Sequence, residues 1–259
     1  MLPRDSLPSD QGFAYRFRQN SPLLATAIHA GHRVRDELLA LMAISEQARR
    51  FEEDTATDLL INQCPDIVWG LDSRAEYDLN RPPEAALPLT PEKFWGVRVF
   101  AKTPGVEMNR RSMMKYRTFY DFIENHVKNI LARHRFCVVF DIHSYNLARQ
   151  IANGIAHPPV FNVGTAALGR RKPRRLVKAW LQALARVSIP GVKTTVAENL
   201  VFRGRGEFCR RLGALDKRVL VLPTEVAKIY MDERTGKLFP ARINAIAAQL
   251  AGIVKGWEK

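Results

Sequence analysis

Apolar positions along the chain fall into short unbroken runs separated by stretches in which they recur every three or four residues. Runs of the first kind suit buried strands, and the second pattern marks one face of a helix. Leu23–His29 is short, apolar and followed by a polar loop, so it predicts a buried strand. Val34–Arg50 carries Val34, Leu38, Leu41, Met42 and Ala48 on one face and predicts a helix. Asp66–Leu71 and Val97–Ala101 are further strand candidates. The clearest helix spans Ser112–His134, where Tyr116, Phe119, Tyr120, Ile123, Val127, Ile130 and Leu131 line up and Ser112 could cap the start. It leads into Phe136–Ile142, a continuous apolar run of the kind expected in a central strand. Arg174–Val187 reads as a helix, Lys193–Ala197 and Val219–Leu222 as strands, and Pro240–Trp257 as a last helix with Ile243, Ile246, Leu250 and Val254 on one face.

Strands alternating with helices imply an α/β fold in which a mixed, mostly parallel central sheet is flanked by helices. The length of 259 residues suits one large domain, and no repeat or low-complexity linker divides it. Residues 1–20 are polar and contain Pro3 and Pro8, so they read as an N-terminal extension ahead of a domain over 21–259. They hold no apolar signal core, and no apolar run is long enough to span a bilayer. The three cysteines, Cys64, Cys137 and Cys209, are scattered and odd in number, which fits a reducing cytoplasm.

Charge is the unusual feature: 40 Lys and Arg against 26 Asp and Glu, a net +14. Basic residues cluster at Arg170–Arg175 and Arg203–Arg211. Such runs are usually solvated surface; their functional reading is a rim that attracts an anion or nucleic acid.

In α/β sheets ligands collect at the carboxyl ends of strands. The first predicted strand ends in Ile28-His29-Ala30-Gly31-His32, the central one in Asp141-Ile142-His143-Ser144-Tyr145. A buried strand ending in His, twice, is a metal-site pattern, although a hydrogen-bonded loop histidine accounts for either one alone. Asp141, two residues before His143, could orient that imidazole or cap a nearby helix. A third ligand should be a carboxylate or His. The acidic cluster at Glu52, Glu53, Asp54 and Asp58 supplies candidates, as does His32, and the acids equally suit a helix N-terminus. Arg74 and Arg81 are suited to a carboxylate or a developing oxyanion, or to ion pairs in their loop. Glu225, just past Val219–Leu222, is placed to act as a general base or to pair with Lys228.

These segments together resemble the N-formylglutamate amidohydrolase family. The matching pieces are His29-Ala30-Gly31, Glu53-Asp54 with Thr57-Asp58, Ser73-Arg74, Asp78-Leu79-Asn80-Arg81-Pro82, Asp141-Ile142-His143-Ser144, Thr224-Glu225-Val226 and Ile229–Gly236. They occur in family order over about residues 23–240. The family is similar in fold to zinc carboxypeptidases and aspartoacylases. By that resemblance His29 and His143 are zinc ligands, Asn80 and Arg81 bind the substrate carboxylate, Arg74 polarises the scissile carbonyl, and Glu225 is the general acid/base. Carboxypeptidase-like enzymes often carry Glu three residues after the first His; here that residue is His32. The carboxylate ligand is therefore expected from Asp54, with Glu53 second. The Arg-rich segment at 170–175 has no counterpart in the family pattern.

The resemblance implies zinc-dependent hydrolysis of an N-acyl amino acid, with N-formylglutamate giving formate and glutamate. One alternative is a carboxypeptidase-like hydrolase of another N-acyl amino acid or peptide. An alternative of another class, suggested by the charge, is an inactive basic protein that binds nucleic acid or anions. No membrane partner is expected.

Overall fold

A computed structural model of the chain describes residues 11–19, 21–169 and 173–257. The first ten residues and 170–172 lie outside the described residues, so the Arg-rich segment is seen only from its last part.

Seven strands form one sheet: β1 (Phe13–Phe17), β2 (Leu23–Ala27), β3 (Asp66–Gly70), β4 (Cys137–Tyr145), β5 (Phe161–Val163), β6 (Val196–Glu198) and β7 (Val219–Ala227). Their spatial order is β1-β3-β2-β4-β7-β5-β6. Strands β3, β2, β4 and β7 run parallel; β1 is antiparallel to β3, and β5 is antiparallel to β7. The expected mixed, mostly parallel sheet is what forms.

Helices cover both faces because β4 and β7 alternate their side chains between two apolar layers. Val138, Phe140, Leu220 and Leu222 pack with α3 (Thr57–Ile61), α6 (Arg174–Leu184) and α8 (Pro240–Gly256). Val139 and Val221 face α4 (Val106–Arg133) and α7 (Glu207–Leu215). Among the described residues no helix is long and apolar enough to cross a membrane.

Several boundaries differ from the sequence reading. The helix expected over Val34–Arg50 is two short ones, α1 (Asp36–Leu39) and α2 (Glu46–Glu52). Between them the amides of Ala43 and Ile44 donate to the carbonyl of Val99, at 2.8 and 3.3 Å, and Ser45 caps α2 through the amide of Ala48. The same contacts explain why Val97–Ala101 forms only an isolated bridge, Met42 to Phe100, instead of a strand. Ser112 is not a cap. Helix α4 starts at Val106, six residues before Ser112, with Gly105 in the N-cap position. Residues 13–17, placed by the sequence in the extension, form the edge strand β1. Strands β4 and β7 run past their apolar cores, so His143 and Glu225 lie inside paired strands and face each other across the ladder. The short helix α5 (Leu147–Ala152) follows β4.

Candidate active site

The chain leaves β2 at Ala27 and reaches His29 two residues later. Asp54, in the turn between α2 and α3, is tied there by its own backbone: its amide donates to the carbonyl of His29 at 3.2 Å. After His29 the chain presses against the end of β3, and the carbonyl of Leu71 accepts from His32 and Arg33 at 3.1 and 3.0 Å. A Cβ on Gly31 would sit 2.3 Å from the carbonyl carbon of Leu71, so only glycine permits this approach. His143 comes from β4, and the loop after β3 supplies Arg74, Asp78, Asn80 and Arg81.

His29, Asp54 and His143 converge, each offering a ligand atom within 4.8 Å of the others, and all three are buried. The imidazoles are held from behind by separate carboxylates: His29 Nε2 by Asp78 Oδ1 at 2.8 Å, and His143 Nε2 by Asp141 Oδ2 at 2.9 Å. Asp141 is fixed in turn by the hydroxyl of Thr26 at 2.8 Å. An ionised carboxylate only accepts, so Nε2 of His29 is the donor to Asp78, and Nδ1 is the ring atom turned toward Asp54. Among the described residues that Nδ1 is buried without a hydrogen-bond partner, yet it lies 3.4 Å from Asp54 Oδ2. A buried ring nitrogen without a hydrogen bond, beside a carboxylate oxygen, is an arrangement that a cation between the two would satisfy. Imidazoles oriented by carboxylates around a shared acidic group fit a divalent metal.

Arg74 and Glu225 flank this group. Arg74 binds Asp78 Oδ2 through Nη2 at 2.7 Å and Nε at 3.2 Å, while Nη1 lies 3.6 Å from Asp54 Oδ1. Burial works against the charge of Arg74, but Asp78 and Asp54 outweigh it and raise the guanidinium above its usual value. Burial also opposes ionisation of Asp54; the hydrogen bond of His143, the neighbouring His29 and the charge of Arg74 prevail and hold it well below the carboxylate range. Asp78 is likewise depressed, its burial overcome by Arg74 and His29. For His143, burial is overcome by the charge and hydrogen bond of Asp141, with Asp54 adding to them, and its value is raised. The carboxylate of Glu225 makes no hydrogen bond among the described residues, and burial pushes it up to about 8. His143 and Arg74 pull against that rise, while Asp54 and Asp141 add to it.

His29, Asp54, Arg74, His143 and Glu225 line one cavity of about 370 Å³, with Asn80, Trp95, Ser144, Phe202 and Lys228 among its other walls. A volume of that order suits a small molecule. The sequence profile of the N-formylglutamate amidohydrolase family matches residues 21–231. The chain belongs to this family. Among solved structures, an N-formylglutamate amidohydrolase from Ralstonia eutropha JMP134 superposes with a TM-score of 0.76 at 17% identity, over 95% of this chain and 98% of that one. A gene product of Agrobacterium tumefaciens gives 0.69 at 20% identity, over 95% and 94%. No curated protein matches the sequence.

For this member of the N-formylglutamate amidohydrolase family, the structure brings together His29, Asp54, His143, Arg74 and Glu225 as the sequence grouped them. It separates the rivals for the third position. Glu53 is fully buried but turned away, accepting from Ser73 Oγ and His32 Nδ1, both at 2.5 Å, and from Arg49. His32 is thereby occupied as well. Asn80 lines the cavity while its Oδ1 accepts from the amide of Phe208 at 3.3 Å, at the start of α7. Arg81 lies 3.6 Å from Asp78 and is part-exposed. Lys228 does not pair with Glu225; its ammonium donates to the carbonyl of Phe51 at 2.8 Å. The sequence reading gave no role to Trp95, Ser144, Asn146 or Arg149, which also line the cavity. Ser144 was in view beside His143. Trp95 was signalled only by a Trp-Gly pair after Pro91.

Proposed function

We propose that the protein is a zinc-dependent amidohydrolase that cleaves the amide of N-formylglutamate to formate and glutamate. Family membership supports a hydrolase acting on a carbon–nitrogen bond. The observation that carries the finer reading is the unpartnered His29 Nδ1, facing Asp54 and His143 with Arg74 and Glu225 alongside. His29, Asp54 and His143 would hold the metal. When bound, zinc supplies a Lewis acid that makes water more acidic and polarises a carbonyl.

The chain's own groups do the rest. Glu225, unpaired and raised by burial, takes a proton as water adds to the amide carbon and returns it to the departing nitrogen. Arg74 is locked by Asp78 with Nη1 free of that pair, and donates to the carbonyl oxygen as charge develops on it. Asn80 and Arg81 anchor the substrate carboxylate, Arg81 through its planar fork. The Asp78 and Asp141 carboxylates keep both imidazoles in one orientation throughout.

Elemental analysis of protein purified without chelator tests the metal, and a panel of N-formyl, N-acetyl and N-succinyl amino acids tests the substrate. About one zinc per chain in the wild type, lost in His143→Ala, is expected together with the highest kcat/KM for N-formylglutamate. Protein that takes up no metal when zinc is supplied would remove the mechanism. A metal-loaded protein that prefers a dipeptide would move the reading to a carboxypeptidase-like activity. Retention on nucleic acid, lost steeply between low and moderate salt, would favour the basic-binding alternative instead.

A further inference from the structure

Trp95 sits in a left-handed backbone conformation, φ 52° and ψ 33°. For a bulky side chain that conformation is strained, and such strain persists where the surroundings impose it. The segment around it is firmly built. Pro91–Phe94 is a single 3₁₀ turn, closed by hydrogen bonds from Gly96 to Pro91 at 2.8 Å and from Val97 to Phe94 at 2.9 Å. Phe94 is fully buried in a small apolar cluster with Leu38, Ala75, Val99 and Phe100, beside the loop that carries Arg74. Trp95 is 40% exposed, so its ring is covered on part of its surface only. The ring packs edge-on against Phe94, centroids 4.9 Å apart, and it also covers Arg74, whose guanidinium carbon lies 4.3 Å from the ring centroid. Arg81 approaches the same ring at 5.8 Å.

Two restraints therefore meet on Arg74. Asp78 fixes the guanidinium within its plane through Nε and Nη2, and the indole covers its face. In-plane hydrogen bonds leave a guanidinium free to tilt, whereas stacking on an aromatic face removes that freedom. We propose that Trp95 is a positioning residue, stacked on Arg74 to keep its Nη1 aimed into the cavity where the scissile carbonyl is held. This rests on the reading of Arg74 under Proposed function, and it adds a residue that touches neither substrate nor metal in that reading.

The test uses Trp95→Phe, Trp95→Leu and Trp95→Gly in the full-length, zinc-loaded protein. The first readout is the Arg74 Nε–Hε resonance in a 1H–15N spectrum, assigned by its disappearance in Arg74→Lys. The indole should shift it by ring current, and the shift should persist in Trp95→Phe and vanish in the other two. The second is steady-state hydrolysis of N-formylglutamate. Trp95→Leu should lose about tenfold in kcat with KM within about twofold, and Trp95→Phe should recover most of the loss. Trp95→Gly removes both the ring and the left-handed penalty, so its thermal midpoint should be no lower than wild type while kcat falls.

An Arg74 resonance that does not move in Trp95→Leu overturns the proposal. So does wild-type kcat in Trp95→Gly, or a loss of kcat that Trp95→Phe shares in full. If the wild type hydrolyses no N-acyl amino acid, the functional reading falls, and the resonance still decides whether Trp95 holds Arg74.

Discussion

At the scale of single residues, the site divides into groups that should fail in different ways. Arg74 donates toward the reacting carbonyl, and its contribution grows as the oxygen gains charge. Arg74→Ala should lower kcat about a hundredfold or more, the usual consequence of losing one oxyanion donor. Arg81 is part-exposed and serves only to hold a carboxylate in this reading, so Arg81→Ala should mainly raise KM, by about tenfold. Steady-state kinetics of the two variants side by side check the division; equal effects on kcat would erase it. Glu225 carries the proton. A base must be ionised to act, and burial places this one at about 8 in the protein alone. A bound cation would lower it, so the rising limb of the kcat/KM profile should lie below about pH 8. Glu225→Gln should remove that limb and cost on the order of 10²–10⁴ in rate, read from a pH series on both proteins.

At the scale of elements, the site depends on three chain segments staying in register, and the buried Glu53 joins them. It accepts from Arg49 in α2, from His32 beyond β2 and from Ser73 beyond β3. Asp54 is the next residue along. Arg49 is only 5% exposed, so Glu53→Ala would strand a buried cation and should destabilise by about 3 kcal/mol or more. His32→Ala, at a side chain 28% exposed, should cost about 1 kcal/mol. Urea unfolding of both distinguishes a hub from a surface pair: equal midpoints would deny Glu53 this role. The network also shows where sequence reasoning stops. Strands β2 and β4 and helices α4 and α8 were legible because their burial is written as local periodicity, and the resemblance put His29, Asp54 and His143 in order. The choice of Asp54 over Glu53 was not written locally. It depends on which carboxylate the partners from distant segments claim. The break within Val34–Arg50 has the same origin, since it is imposed by backbone bonds to Val99. Trp95 stayed invisible because nothing local encodes an indole stacked on an arginine twenty-one residues away in the chain.

At the scale of the whole molecule, the excess of positive charge is tempered by pairing at the surface. Arg174 binds Glu198, and Arg211 binds Glu124 while its guanidinium lies 4.1 Å from the ring centroid of Tyr120. Lys228 differs. It is 3% exposed, and among the described residues its ammonium makes no ion pair and one hydrogen bond, to the carbonyl of Phe51. Burial pulls its ammonium down to about 8, against partial compensation from Asp54, Glu233 and Glu52. The consequence for global stability has a definite sign. Between pH 8 and the unfolded value of 10.5 the unfolded chain binds the proton that the folded chain has released. Stability from this group therefore rises with pH across that window, and below it the folded state bears the cost of a buried charge. The difference of roughly 2.5 units corresponds to about 3 kcal/mol. Lys228→Met keeps the bulk and removes the titration. Chelator-treated wild type and Lys228→Met, unfolded in urea at intervals from pH 7 to 10.5, isolate the effect, because the remaining titrating groups are common to both. The stability of the wild type relative to Lys228→Met should increase by about 3 kcal/mol over that range. A constant difference would mean that the lysine enters the fold with its ordinary proton affinity, and that the cavity wall is wetter than its geometry implies.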